Sequence, residues 1–145
     1  MSASDSVRVV PIPAAMVPAM WDAALPHLVR GNRVAKLDPV RLLVDLVKRH
    51  AVLWCVFADD ELVAAYFSSV VLDDDGRKSL MVYGLGGRML RAWLNTMICK
   101  MEAHAMANGC TVASFHGVRG WSRLVPQYQS IPAGDGVALY QRVLT

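Results

Sequence analysis

Charge is scarce in this sequence. Asp, Glu, Lys and Arg make up 19% of its 145 residues, against 54% apolar ones. That balance excludes a disordered chain, which needs high charge and low hydrophobicity. Cysteine is sparse too. Cys55, Cys99 and Cys110 are odd in number, widely spaced and set in apolar surroundings. They read as reduced core residues, not as a disulfide framework or a metal site. The four histidines are too scattered to suggest a zinc centre. The aspartates at 73–75 lack EF-hand spacing and read as a solvated turn. No Ser/His/Asp or Cys/His set is discernible. No apolar run reaches the length of a membrane span. The start, "MSASDSVRVVPIPAAM", has no basic region followed by an apolar one, so no secretion signal is expected. Repeats, low-complexity segments and linkers are also missing, and the length suits a single domain over 1–145.

What charge there is lies unevenly. Residues 1–75 hold seven Lys/Arg and ten Asp/Glu, a balance of −3. Residues 76–145 hold eight and two, a balance of +6. An anionic partner would meet the C-terminal half: coenzyme A, nucleic acid or an acidic protein surface. Plain solubility explains the same excess. No nucleic-acid motif accompanies it, which makes nucleic acid the poorest fit of the three.

Periodicity places the elements. "VRVVPI" (7–12) reads as a strand ended by prolines. "VPAMWDAALPHLV" (17–29) is helix-like, with Pro18 suited to the first turn and Pro26 expected to break or kink it. "LDPVRLLVDLVKRH" (37–50) is a helix, with Asp38 as N-cap and Pro39 at the first position. Strands at 51–58, 62–72 and 78–84 are separated by the polar turns "DDE" and "DDDG", which predicts an antiparallel meander. A helix then carries the stripe Leu90, Trp93, Leu94, Met97, Ile98, Met101 and Ala105, and "NG" at 108–109 stops it. "CTVASFHG" (110–117) is a buried strand, parallel to 78–84 across the helix. "GWSRLVPQYQ" (120–129) is a short helix or turn cut by Pro126, and 136–144 is a last strand.

The glycines in "SLMVYGLGGRMLRAWL" (79–94) join a strand to a helix N-terminus, the usual geometry of a phosphate cradle. A tight turn would look the same. Arg88 and Arg91 could add charge-assisted contacts. In "VRGWSR" (118–123), Arg119 and Arg123 flank Trp121, an arrangement suited to a nucleotide, a phosphate or a partner surface. Trp121 capping the core between two solvated arginines is the plainer reading.

The order of elements resembles the GNAT superfamily of N-acetyltransferases. More narrowly, "LWCVFADDELVAA", the "GG" before a Trp-bearing helix, "NGC" at its end and "GVRGWSRLVPQY" resemble small GNAT-like proteins of tailed bacteriophages. The resemblance implies an α+β fold of three layers. It has a mixed, mostly antiparallel central sheet, a parallel β-α-β crossover at 78–116 and flanking helices. It also implies that the strands either side of the long helix splay around the pantetheine arm of acetyl-CoA. The pyrophosphate would then lie on a loop of pattern Gln/Arg-x-x-Gly-x-Gly/Ala. Here that loop runs Met81-Val82-Tyr83-Gly84-Leu85-Gly86, with Met81 departing from the pattern. The helix starts at Gly86, or the loop continues through Gly87 and Arg88 and the helix starts near Leu90. Cofactor contacts would fall on Tyr83, Gly84, Leu85, Gly86, Gly87, Arg88 and Arg91. The family's acid is a late Tyr, for which Tyr128 is the candidate. The base falls to His116, to Glu61 or to the strand of Tyr83. Two uses remain open. One is acetyl-CoA-dependent N-acyl transfer in the cytoplasm of a bacterial host. The other is a non-catalytic virion component that binds other virion proteins or its own copies, with Arg119, Trp121 and Arg123 as the contact. Neither involves a membrane.

Overall fold

The computed structural model describes residues 7–31, 37–85, 90–134 and 136–144. In chain order they form β1 (Val7–Ile12), α1 (Val17–Gly31), α2 (Pro39–Val47), β2 (Val52–Ala58), β3 (Glu61–Leu72), β4 (Lys78–Tyr83), α3 (Leu90–Ala107), β5 (Val112–Val118), a 3-10 turn (Arg119–Arg123), β6 (Gln129–Gly134) and β7 (Val137–Val143).

Strand side chains alternate between the two sides of a sheet. In β2 and β3 both sides are apolar. Leu53, Cys55 and Ala65 point to one, while Trp54, Val56, Ala64 and Tyr66 point to the other. Both sides therefore need a cover. On the first, α1 and α2 supply Val17, Ala24, Leu28, Leu42 and Leu46. On the second, α3 supplies Trp93, Leu94, Met97, Met101 and Ala105 from the expected stripe. The result is three layers around a seven-stranded sheet of order β1-β2-β3-β4-β5-β7-β6. Every pair is antiparallel except β4–β5, which is parallel and needs the crossover that α3 provides. The three-layer α+β fold and its crossover are as expected.

Local chemistry sets the helix ends. The Asp38 carboxylate accepts the Arg41 amide at 3.2 Å and starts α2. Gly109, at φ +73°, ends α3. The Cys110 amide reaches the Ala105 carbonyl at 2.8 Å and the Gly109 amide reaches Met106 at 3.1 Å, a Schellman closure.

Three expectations are corrected. Pro26 does not break α1, which runs on to Gly31. Pro26 and Asp22 are both exposed, so water can satisfy the Asp22 carbonyl that proline leaves without its amide, while Ala24 and Leu28 hold the buried side. Cys99 is exposed, one step around the helix from the apolar stripe, whereas Cys55 and Cys110 are buried. Finally, β6 was not expected. Pro132 and Gly134 mask it, and it pairs only with β7 at the sheet edge, where proline is tolerated.

One contact ties the helical layer to the end of β4. A Cβ on Gly31 would stand 2.0 Å from the Gly84 carbonyl oxygen, so α1 ends on the backbone that leaves β4. Gly31→Ala should cost about 1–3 kcal/mol, because the obstacle is backbone and cannot swing aside. Urea denaturation checks this, and an unchanged midpoint would remove the contact from the account. Burial pushes the Cys55 thiol up to about 12. A disulfide reagent such as DTNB should therefore titrate one thiol, Cys99, in the native protein and all three after unfolding.

Candidate functional site

The parallel ladder between β4 and β5 runs from Ser79↔Val112 to Val82↔Phe115 and stops. β5 continues through His116, Gly117 and Val118, held on its other side by β7 down to Val118↔Val137. β4 ends at Tyr83, and Gly84 at φ +83° turns the chain away. From His116 to Val118 the edge of β5 that faces β4 therefore has no strand against it. The two strands part at their C-terminal ends, and among the described residues no strand takes up that edge of β5.

A groove of about 830 Å³ lies beside this opening. Its walls are Leu90 and Arg91 from the first turn of α3, and Gly120, Trp121, Ser122, Arg123 and Leu124 beyond β5. Arg91 and Arg123 are exposed, and among the described residues neither pairs with a carboxylate. Two free guanidinium groups at a helix N-terminus suit a phosphate-bearing ligand. These residues fit the ADP end of coenzyme A, and the open β5 edge fits its amide-bearing arm. Gly86, Gly87 and Arg88 lie outside the described residues.

Trp121 builds the far wall. Its ring lies on Gly117, where a Cβ would come within 2.2 Å of it. It stacks on Tyr140 at 6.4 Å and tilts against Phe115 at 6.5 Å. The Tyr140 hydroxyl donates to the Val118 carbonyl, and the Arg119 carbonyl lies 3.0 Å away, so the turn after β5 is clamped. The Arg119 guanidinium reaches the Gly134 carbonyl at 3.4 Å, toward β6 and away from the groove lining. Of the "VRGWSR" residues, Trp121 and Arg123 face the groove and Arg119 does not.

The other expected residues divide. Tyr83 is half-buried on the side of the sheet that carries α1, and its ring stacks on Phe67 at 4.9 Å. Leu85 is buried in the core under α3. Met81, at the departure from the family pattern, accepts the Ser114 hydroxyl on its sulfur at 3.4 Å and so bridges β4 to β5. His116 is exposed, just beyond the last rung of the ladder. Tyr128 is engaged elsewhere. Its hydroxyl donates to Glu102 Oε2 at 2.6 Å, and Glu102 also binds Arg142 at 3.0 Å. Glu102 lies twelve residues along α3 from Leu90, about 18 Å down the helix. Arg142 is opposite Ala113, within the paired part of the sheet. Burial, then the bond to Glu102, pushes the Tyr128 hydroxyl well above the tyrosine range. This arrangement anchors the segment after the 3-10 turn to α3 and β7.

Comparison with solved structures bears on the fold. The PaiA N-acetyltransferase of Thermoplasma acidophilum, solved with coenzyme A, is 11% identical; the match covers 95% of this chain and 99% of that one, with a TM-score of 0.61. The fold is the GNAT fold. An IAA acetyltransferase from Bacillus cereus is 8% identical, with 96% and 100% covered and a TM-score of 0.64. FeeM, an N-acyl amino acid synthase from uncultured soil microbes, is 11% identical, with 95% and 90% covered and a TM-score of 0.64. No protein-family model matches the sequence, and no curated protein does.

Two substitutions probe this packing. Trp121→Ala should cost about 2–4 kcal/mol in denaturant unfolding, since a large ring leaves Phe115, Tyr140 and Gly117 uncovered. Tyr128→Phe should cost about 1.5–3 kcal/mol, the range for a bond to a charged acceptor. The folded protein favours a neutral Tyr128. That contribution is present at neutral pH and is lost as pH rises past the ordinary tyrosine range. The Phe variant should therefore lose less stability than the parent above about pH 10.

Proposed function

We propose that this protein is an acyl-CoA-dependent N-acyltransferase. The parting of β4 and β5 beside a groove lined by two arginines that pair with no carboxylate among the described residues carries the reading. The neighbours named above support it, being acetyltransferases or an acyl synthase, one of them solved with coenzyme A.

Bound acetyl-CoA supplies a thioester: the acceptor nitrogen bonds to its carbonyl carbon, the C–S bond breaks, the nitrogen gives up a proton and the sulfur leaves as thiol. The chain's own groups do the rest. Arg91 and Arg123 hold phosphate oxygens beside the first turn of α3. The open edge of β5 at 116–118 hydrogen-bonds the pantetheine amides. His116, exposed beyond the last rung, takes the proton from the amine. Tyr128 takes no part, because its hydroxyl is given to Glu102.

A second reading is a non-catalytic assembly module, and two observations bear on it. Met81 stands where the pyrophosphate loop has Gln or Arg. On α2, Val40, Val44 and Val47 form an exposed stripe at helical spacing.

Calorimetric titration with coenzyme A separates the two. The acyltransferase reading expects micromolar binding, weakened about tenfold or more by Arg91→Glu or Arg123→Glu (~1.4 kcal/mol or more). It also expects His116→Gln to lower kcat roughly a hundredfold while leaving coenzyme A binding unchanged. No binding at millimolar coenzyme A would overturn it in favour of the assembly module.

A further inference from the structure

On the sheet side that carries α1 and α2, the two helices pack over β2 and β3. Its buried cluster draws on β2 and β3, and no residue of β5 or β7 belongs to it. Strand register identifies which residues flank the splay on this side, because residues directly opposite one another share a side. Phe67↔Tyr83 stands on the β4 flank. His116↔Leu139 and Val118↔Val137 stand on the β5 flank. The aromatic pair is stacked at 4.9 Å, Val118 is 52% exposed and His116 is exposed.

None of these six residues carries a fixed charge. The next row inward, Met81, Ser114 and Gln141, is uncharged as well. Among the described residues, the charged groups that line the groove beside the opening are Arg91 and Arg123. Glu102 is taken up by Arg142 and Tyr128. Among the described residues, β4, β5 and β7 offer a second ammonium group no carboxylate, and the basic half of the chain repels it.

From this we infer that the acyl acceptor is a primary amine on an uncharged apolar body, aromatic or aliphatic, and not a polyamine or other polycation. The amine would meet His116 at the splay, and its body would lie between Phe67–Tyr83 and Val118–Leu139. The inference rests on the acyltransferase reading and names the class of its second substrate.

The test uses calorimetry at saturating coenzyme A, with phenethylamine and spermidine as probes, and needs no turnover. Phenethylamine should bind at least tenfold more tightly than spermidine. Val118→Glu, at an exposed position, should remove or reverse that preference at coenzyme A concentrations that saturate the variant. Spermidine binding as tightly as phenethylamine, or no phenethylamine binding, would overturn the inference while coenzyme A binding still stood. So would a dimer in sedimentation that Val118→Glu dissociates, since a second copy would then cover this side. A protein that does not bind coenzyme A at all would instead sink the acyltransferase reading, and this inference with it.

Discussion

The candidate site depends on where one hydrogen-bond ladder ends. Parallel strands share evenly spaced bonds, and a ladder once begun continues unless the chain is turned away. Between β4 and β5 it lasts from Ser79↔Val112 to Val82↔Phe115. β5 could have carried it three residues further, and is straight enough there to pair with β7 throughout. It is β4 that leaves, at Gly84, in a conformation with positive φ that side chains disfavour. The gap is therefore a consequence of one glycine's backbone, and it exposes main-chain groups that an amide-bearing ligand can satisfy.

Close packing on both sides keeps the gap from closing. On one side, α1 ends with Gly31 against the Gly84 carbonyl, which leaves β4 no room to swing back. On the other, Trp121 presses onto Gly117 and is backed by Tyr140 and Phe115. Tyr140 also fixes the turn after β5 through the Val118 carbonyl. Farther down, Glu102 gathers Tyr128 and Arg142 and binds α3 to the wing formed by β5, β7 and β6. Rigid walls of this kind let a site hold a ligand without ordering itself first.

Much of the fold was legible because its signals are local. The α3 stripe repeats at helical spacing, Gly109 stops it, Asp38 caps α2, and short polar turns separate the meander strands. The site was less legible because its causes are long-range. Nothing around Gly117 announces that an indole four residues on will lie over it. Gly31 and Gly84 are 53 positions apart and read singly as ordinary helix-end and turn glycines. Tyr128 was matched to a family role, but its actual partner is Glu102 on α3, which no local pattern links to it. Pro132 and Gly134 concealed β6, since they weaken any strand signal and are tolerated only because the strand lies at an edge. The glycine loop that first suggested a phosphate cradle is described only at Gly84 and Leu85.

The most direct test of the central claim is a map of backbone amide shifts as coenzyme A is added to labelled protein. If the parted strands are the ligand slot, the perturbed amides will cluster at Tyr83–Leu85 on β4, at His116–Val118 on β5, and at Arg91 and Trp121 around the groove. Perturbations confined to the β1 edge of the sheet, around Ile12, Leu46 and Leu53, or no perturbation at all, would contradict it.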